Sequence, residues 1–228
     1  VLTILLVKIL SPFLKLKFAE VPNNYNEMTL VMKGNYSVVF RVYNDGLAYR
    51  FVTSLKGEVK VNHEDITVFF PQDAQLVLQQ SDRYRTSYEE RYSFVKSSEW
   101  LSFQKMAHYP VLAITSGGTK ILMSESDLCD YPAPFFRSND ANGFSSVFPR
   151  VPAVEKPRSD KSNDVLLRHP YIAKTQGTRS FPWRYFVIAK DEAALVTNTM
   201  TCRLAQDSKL QDVSWIVPGQ ASWEWGNG

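Results

Sequence analysis

The stretch from Ser37 to Val52 decides the fold class. It reads Ser37-Val38-Val39-Phe40-Arg41-Val42-Tyr43-Asn44-Asp45-Gly46-Leu47-Ala48-Tyr49-Arg50-Phe51-Val52. Period-two alternation places Val38, Phe40 and Val42 on one face of a strand. Asp45-Gly46 follows as a strong hairpin signal, because glycine accepts a positive φ at no steric cost. The pattern predicts two antiparallel strands joined by a tight turn.

Short apolar runs continue the strand pattern along the chain. The runs are Ile66–Phe70, Leu76–Leu78, Val111–Thr115, Lys120–Met123, Trp183–Ala189 and Met200–Leu204. Ser116-Gly117-Gly118 predicts a second hairpin, between Thr115 and Lys120. This dominance of strands predicts an all-β sandwich or a related two-sheet fold.

Helices should be few and short, since no window carries a sustained apolar repeat of 3.6 residues. The best candidates are Glu99–Ala107 and Asp191–Leu195. Between Asp130 and Lys174 the chain is rich in Pro, Asn and Ser and has little strand signal. We expect a long irregular segment there that carries function or wraps over a sheet.

Composition narrows the classes of protein. The chain has 228 residues, of which 44% are hydrophobic and 21% charged, and this balance excludes a disordered chain. Its length fits one large domain or two small ones. The net charge is +3, from 26 basic and 23 acidic residues, so we expect neither a nucleic-acid partner nor a membrane partner. Aromatic residues make up 13%, which suits a β-rich core and also surfaces that stack on sugars.

Motifs of the common enzyme classes are missing from the sequence. It contains no glycine-rich phosphate loop, no His-Glu-x-x-His, no nucleophile elbow and no Cys-x-x-Cys. The three histidines, His63, His108 and His169, stand isolated, and Cys129 and Cys202 could either pair or remain free thiols. We therefore assign no catalytic residue.

The apolar segment Val1–Leu14 is too short to span a bilayer and contains Lys8. It lacks the initiator Met, basic region and cleavage site of a signal peptide. Two interpretations stay open: a native strand, or a sequence that begins inside the natural protein.

Several segments in a fixed order carry a resemblance to a known family. They are Pro22–Met28, Tyr43–Phe51, Ser124–Pro132, Gly177–Arg184 and Asp212–Gly219, with Trp223-Glu224-Trp225 after them. Together they resemble the amino-terminal domain of glycoside hydrolase family 97, the α-glucosidases and α-galactosidases. The resemblance implies a galactose-mutarotase-like β-super-sandwich with two large antiparallel sheets and few short helices.

The same resemblance implies a domain organisation and an activity. Residues 1–214 would form the sandwich, and residues 215–228 would form a linker and the first strand of a catalytic β/α barrel. The parent enzyme would hydrolyse α-glucosidic or α-galactosidic oligosaccharides with carboxyl groups of its barrel, so we expect this chain to be inactive alone. Family members are typically exported, which implies a periplasmic or secreted parent.

Glu125 is the candidate metal ligand. By resemblance, the glutamate of Glu125-Ser126-Asp127-Leu128 helps to bind calcium together with carboxylates of the barrel. Because Ca²⁺ takes six to eight oxygens, one carboxylate cannot hold it alone. Read from the residues only, Glu125 would be a solvated carboxylate at a strand end, and Asp127 and Asp130 would fix a turn or pair with arginine.

Arg179 and Arg184 flank Phe181-Pro182-Trp183 and are the candidate substrate-binding residues. Each could contact sugar hydroxyls or an acidic partner, or could form an internal ion pair or stack on an aromatic ring. Two other functions remain open for the chain. One is a free-standing carbohydrate-binding module, and the other is a packing domain that buries a large apolar patch against the barrel.

Overall fold

The computed structural model describes residues 2–10, 18–70, 72–101, 103–159 and 162–207, and over these ranges the chain is built almost entirely from strands. The strands are β1 (Leu2–Leu10), β2 (Val21–Met32), β3 (Tyr36–Tyr43), β4 (Gly46–Val61), β5 (Thr67–Phe69), β6 (Gln75–Ser81), β7 (Tyr92–Lys96), β8 (Met106–Ile114), β9 (Lys120–Ser126), β10 (Phe135–Ser138), β11 (Gly143–Val147), β12 (Pro152–Pro157), β13 (Asn163–Arg168), β14 (Ala173–Ser180) and β15 (Trp183–Ala189). The helices among the described residues are α1 (Glu192–Val196) and α2 (Met200–Leu204). None of the helices in these ranges has the length and apolar character needed to cross a membrane.

Hydrogen bonds join 13 strands into one continuous antiparallel sheet. Its order is β1-β2-β3-β4-β15-β9-β8-β10-β11-β5, with β14 on β4 and with β6 and β7 continuing from β8, while β12 and β13 form a separate ribbon. Continuity comes from the 16-residue β4, which pairs with β15 near its start and with β14 along its second half. The predicted all-β class with few short helices is confirmed.

The sheet carries a core on each face, which gives the fold its layers. On β15, Tyr185 and Val187 belong to one cluster of buried residues, whereas Phe186, between them, packs against the other. Neighbouring residues of a strand face opposite sides, so β15 separates the two cores. The helices α1 and α2 pack on the Tyr185 side, where Met200 is 1% exposed.

Both predicted hairpins form. Tyr43 pairs with Gly46, so β3 and β4 are joined by the two-residue loop Asn44-Asp45. Only glycine fits position 46, since a Cβ there would lie 2.1 Å from the carbonyl oxygen of Phe186. The second hairpin, at Ser116–Gly118, joins β8 to β9.

Two predictions of secondary structure are wrong near the ends of strands. Glu99–Ala107 is not a helix, because Trp100 is inserted into the core at 1% exposure and β8 begins at Met106. Met200–Leu204 is not a strand but α2, whose first and last residues, four apart, are buried. One helical turn is too short to show a period in the sequence.

The segment Asp130–Lys174 is not irregular, because it contains β10 to β13 and the start of β14. Its strands are four to six residues long before β14, and β10 buries Phe135 and Phe136 in succession, which hides the alternation.

The helix predicted at Asp191–Leu195 is confirmed as α1, whose N-terminus is capped by the Asp191 carboxylate. Leu2–Leu10 forms a strand paired with β2.

Several predictions fall on residues outside the described ranges. These are the boundary between residues 214 and 215, the segment Asp212–Gly219 and the run Trp223-Glu224-Trp225. Cys129 and Cys202 are described, and both are free thiols.

Candidate functional site

The register of the sheet brings two of the predicted residues together. Arg184 of β15 pairs with Glu125 of β9 on one side and with Tyr49 of β4 on the other. Residues that pair directly across antiparallel strands project from the same face. Glu125, Arg184 and Tyr49 therefore lie side by side in the middle of the sheet.

Arg184 holds two carboxylates, and we call Glu64, Glu125 and Arg184 the carboxylate cluster. Its Nε and Nη2 donate to Glu64 Oε1 and Oε2, each at 2.9 Å, in a bidentate pair. Its Nη1 donates to Glu125 Oε2. The side chains of Arg184, Glu64 and Glu125 are 1%, 9% and 12% exposed, so this is a buried ion-pair network.

Glu64 is a site residue that the sequence did not indicate. It lies in the connection between β4 and β5, where its carbonyl oxygen accepts from Ser146 Oγ at 2.9 Å. The same hydroxyl accepts from the amide of Ile66 at 2.9 Å. Ser146 of β11 thus fixes the backbone that carries Glu64, a contact across 82 residues that no local motif reveals.

The carboxylate cluster contains two carboxylates for one guanidinium. Burial raises the pKa of Glu125 to about 7; Arg184 opposes the rise, and the negative charge of Glu64 adds to it. Burial alone would lower the pKa of Arg184, but the hydrogen bonds and charge of Glu64 outweigh it and the pKa is raised. Arg184 makes two hydrogen bonds to Glu64 and one to Glu125, so it offsets the burial of the Glu125 charge through a single contact.

Tyrosines enclose the carboxylate cluster. Burial and the charge of Glu64 raise the pKa of Tyr49 to about 12. Burial also raises the pKa of Tyr109, and burial together with Glu64 raises that of Tyr131. All three phenols therefore stay neutral and add no further negative charge to the cluster.

Glu125 could supply a single oxygen ligand to a metal ion. Arg184 occupies Oε2, and within the described part of the chain no hydrogen bond reaches Oε1. No group of three or more His, Cys, Asp or Glu side chains suited to a metal occurs among the described residues. Calcium needs six to eight oxygens, so these residues cannot hold it without ligands from elsewhere.

Arg179 is engaged by the turn that follows β9. It donates through Nη2 to the carbonyl oxygen of Cys129 at 2.9 Å and through Nη1 to that of Asp130 at 3.2 Å. Its guanidinium also lies 4.9 Å from the ring centre of Phe181. Arg179 and Arg184 both make internal ion pairs or ring contacts, and the prediction that they bind sugar stays a prediction.

The last described residues return to the same turn. The amide of Gln206 donates to Asp127 Oδ1 at 2.8 Å, and Arg50 lies 3.9 Å from Asp127 Oδ2. Asp130 Oδ2 lies 3.7 Å from Arg179, so both aspartates help to fix the turn, as predicted. The last described residues thus contact the turn that follows β9, on the Tyr185 side of the sheet.

A family model described as Glycosyl-hydrolase 97 N-terminal matches residues 12–206 of this chain. The chain belongs to the glycosyl-hydrolase 97 family. A retaining alpha-galactosidase from Bacteroides thetaiotaomicron is 32% identical over 229 residues, which are 95% of this chain and 34% of that protein. A probable retaining alpha-galactosidase from Streptomyces bingchenggensis is 28% identical over 190 residues, which are 83% of this chain and 26% of that protein. The chain spans about a third of the length of these glycosyl-hydrolase 97 relatives.

Solved structures agree on the fold. A Glycoside Hydrolase Family 97 enzyme from a Pseudoalteromonas species, in complex with panose, superposes with a TM-score of 0.72 at 21% identity, covering 96% of this chain and 31% of that one. A beta-arabinopyranosidase superposes with a TM-score of 0.62 at 18% identity, covering 82% of this chain and 31% of that one. The all-β sandwich fold of the family is therefore confirmed for this chain.

Proposed function

We propose that this chain is the amino-terminal sandwich of an α-glycoside hydrolase, and that it supports a catalytic barrel and gives Glu125 to a calcium and substrate site. The parent would act on α-glucosidic or α-galactosidic oligosaccharides in the periplasm or outside the cell. The 32% identical relative, named a retaining alpha-galactosidase, makes an α-galactoside such as melibiose the first substrate to test. The relatives' length leaves room for the catalytic part outside this chain.

The single observation that carries this proposal is that the carboxylate cluster has two carboxylates for one guanidinium. Arg184 fixes Glu125 Oε2 and leaves Oε1 available, while the site holds one more carboxylate than guanidinium. A cation bound at Oε1 would supply the missing positive charge. A bound calcium can polarise a nearby water or orient a substrate.

The position of Asp127 supports the assignment of the missing ligands to later parts of the polypeptide. Because the amide of Gln206 donates to Asp127, the last described residues contact the turn that follows Glu125. Asp127 and α2 lie on the Tyr185 side of the sheet and Glu125 lies on the other side, so oxygen ligands from later residues would reach the ion around the end of β9. This chain alone should therefore bind calcium weakly and hydrolyse no glycoside.

Calcium titration of the full-length parent tests the proposal. After removal of metal, Glu125→Gln should weaken calcium binding by at least about tenfold, as losing one anionic oxygen ligand would. Glu58→Gln is the matched control, since Glu58 is an exposed β4 carboxylate paired with Lys174. Equal calcium affinity in the Glu125 variant and the wild type would refute the proposal, as would turnover of an α-galactoside by the 228-residue chain.

A further inference from the structure

A groove of about 590 Å³ is lined by Glu64, by side chains of β4 and by the segment that follows β9. Four aromatic rings line it, from Tyr36, Phe51, Tyr131 and Phe181. Its volume lies within the range of about 300–1,000 Å³ that is usual for small-molecule sites. Val61 and Tyr131 of its lining also pack against the edge of one core cluster, and the proposed role of Glu125 does not use the groove.

The aromatic walls are held in place from outside the groove. Tyr131 and Phe181 meet edge to face with ring centres 5.2 Å apart. Arg179 lies 4.9 Å from the centre of Phe181 and 5.8 Å from that of Tyr131. Phe51 stands on β4, where it contacts Tyr49 edge to face at 6.4 Å. Fixed aromatic walls lose little conformational entropy when a ligand binds.

The rim of the groove carries polar groups of both signs. Lys60, His63 and Asp65 lie along it, and the His63 and Asp65 side chains are 74% and 83% exposed. His63 Nε2 lies 3.5 Å from Asp65 Oδ2. Glu64, between them in sequence, has both carboxylate oxygens hydrogen-bonded to Arg184. A mixed rim of this kind suits a neutral ligand with many hydroxyl groups better than a charged one.

We propose that this groove binds a neutral oligosaccharide, at a site that adjoins the carboxylate cluster through Glu64 but does not include Glu125. The apolar C–H faces of pyranose rings would stack on Tyr36 and Phe51, while their hydroxyl groups would reach Lys60, His63 and Asp65. The choice of an α-linked sugar rests on the proposed function, whereas the groove itself does not. Oligosaccharide captured here would be held by the sandwich rather than by the catalytic part.

Titration of the 228-residue chain with panose and melibiose, followed by calorimetry and by amide NMR shifts, tests this site. We expect saturable binding, with the largest shifts at the groove residues. Phe51→Ala should weaken binding by about fivefold, as loss of one aromatic contact would. Phe94→Ala is the matched control, because Phe94 is 72% exposed on β7 and does not line the groove.

Two more measurements distinguish the possible outcomes. His63→Ala changes an exposed side chain, so it tests the rim even where the Phe51 variant fails to fold. Addition of a calcium chelator should leave groove binding unchanged, which separates this proposal from that for calcium. The absence of saturable binding to both sugars would overturn the inference, as would binding that Phe94→Ala weakens and that Phe51→Ala and His63→Ala do not.

Discussion

Replacement of Glu125 by glutamine should change how stability depends on pH. In the folded chain the pKa of Glu125 rises from 4.5 to about 7, chiefly through burial. Between these two pH values the folded state binds a proton on Glu125 that the unfolded state has lost. The contribution of this group to stability is therefore fully present below about pH 4.5 and is lost as the pH rises through about 7.

The magnitude follows from the two pKa values. Each pH unit between 4.5 and about 7 contributes about 1.4 kcal/mol, so the full effect is about 3 kcal/mol. Solvent screens it little, because the Glu125 side chain is only 12% exposed. Glutamine has nearly the same shape but does not titrate, so the Glu125→Gln variant should lack this loss of stability.

Urea unfolding from pH 4.5 to 8 measures the difference. The free energy of unfolding of the wild type, minus that of the Glu125→Gln variant, should fall by about 3 kcal/mol over this range. Glu58→Gln, with its exposed carboxylate, should give a difference that stays nearly constant. A flat or rising difference for Glu125→Gln would show that the buried cluster does not disfavour its second negative charge.

Three further changes test the parts of the fold that position the site. Arg184→Met leaves two carboxylates buried without their partner and should lower the free energy of unfolding by about 3–5 kcal/mol; a loss below about 1 kcal/mol would contradict the buried network. Gly46→Ala should cost about 1–3 kcal/mol in urea unfolding, because its Cβ would meet the carbonyl oxygen of Phe186. Gly117→Ala should be nearly neutral, since its Cβ would make only an ordinary contact with Thr115 Oγ1 at 3.9 Å. Asp191→Ala removes the cap of α1 and should lower thermal stability by about 1 kcal/mol, and an unchanged melting temperature would argue against the cap.

Short sequence patterns predicted most of the fold. The Asp45-Gly46 and Gly117-Gly118 turns identify two hairpins, because two-residue and glycine turns depend on backbone conformation alone. The sequence did not identify the elements that are too short to show the repeat of a helix or the alternation of a strand. α2 is one turn long, and β10 buries consecutive phenylalanines, so neither shows the alternation or repeat that identifies its type.

Two of the three residues of the carboxylate cluster could be predicted from the sequence, but their contact and the third residue could not. Glu125 and Arg184 stand in the segments that carry the family resemblance, but nothing in the sequence pairs them. Their contact depends on the register between β9 and β15, 59 positions apart in the chain. Glu64 is 120 residues from Arg184 and follows a strand without any motif, so only the folded sheet brings its carboxylate to the guanidinium.

A crystal structure of the full-length parent grown with calcium would show the ligands of the ion. We expect a calcium ion with Glu125 Oε1 about 2.3–2.6 Å away, the remaining ligands from residues after Asp207, and Arg184 still bonded to Oε2. The proposal would be contradicted by a calcium ion that Glu125 does not coordinate, with Arg184 holding the Glu125 carboxylate away from the catalytic part.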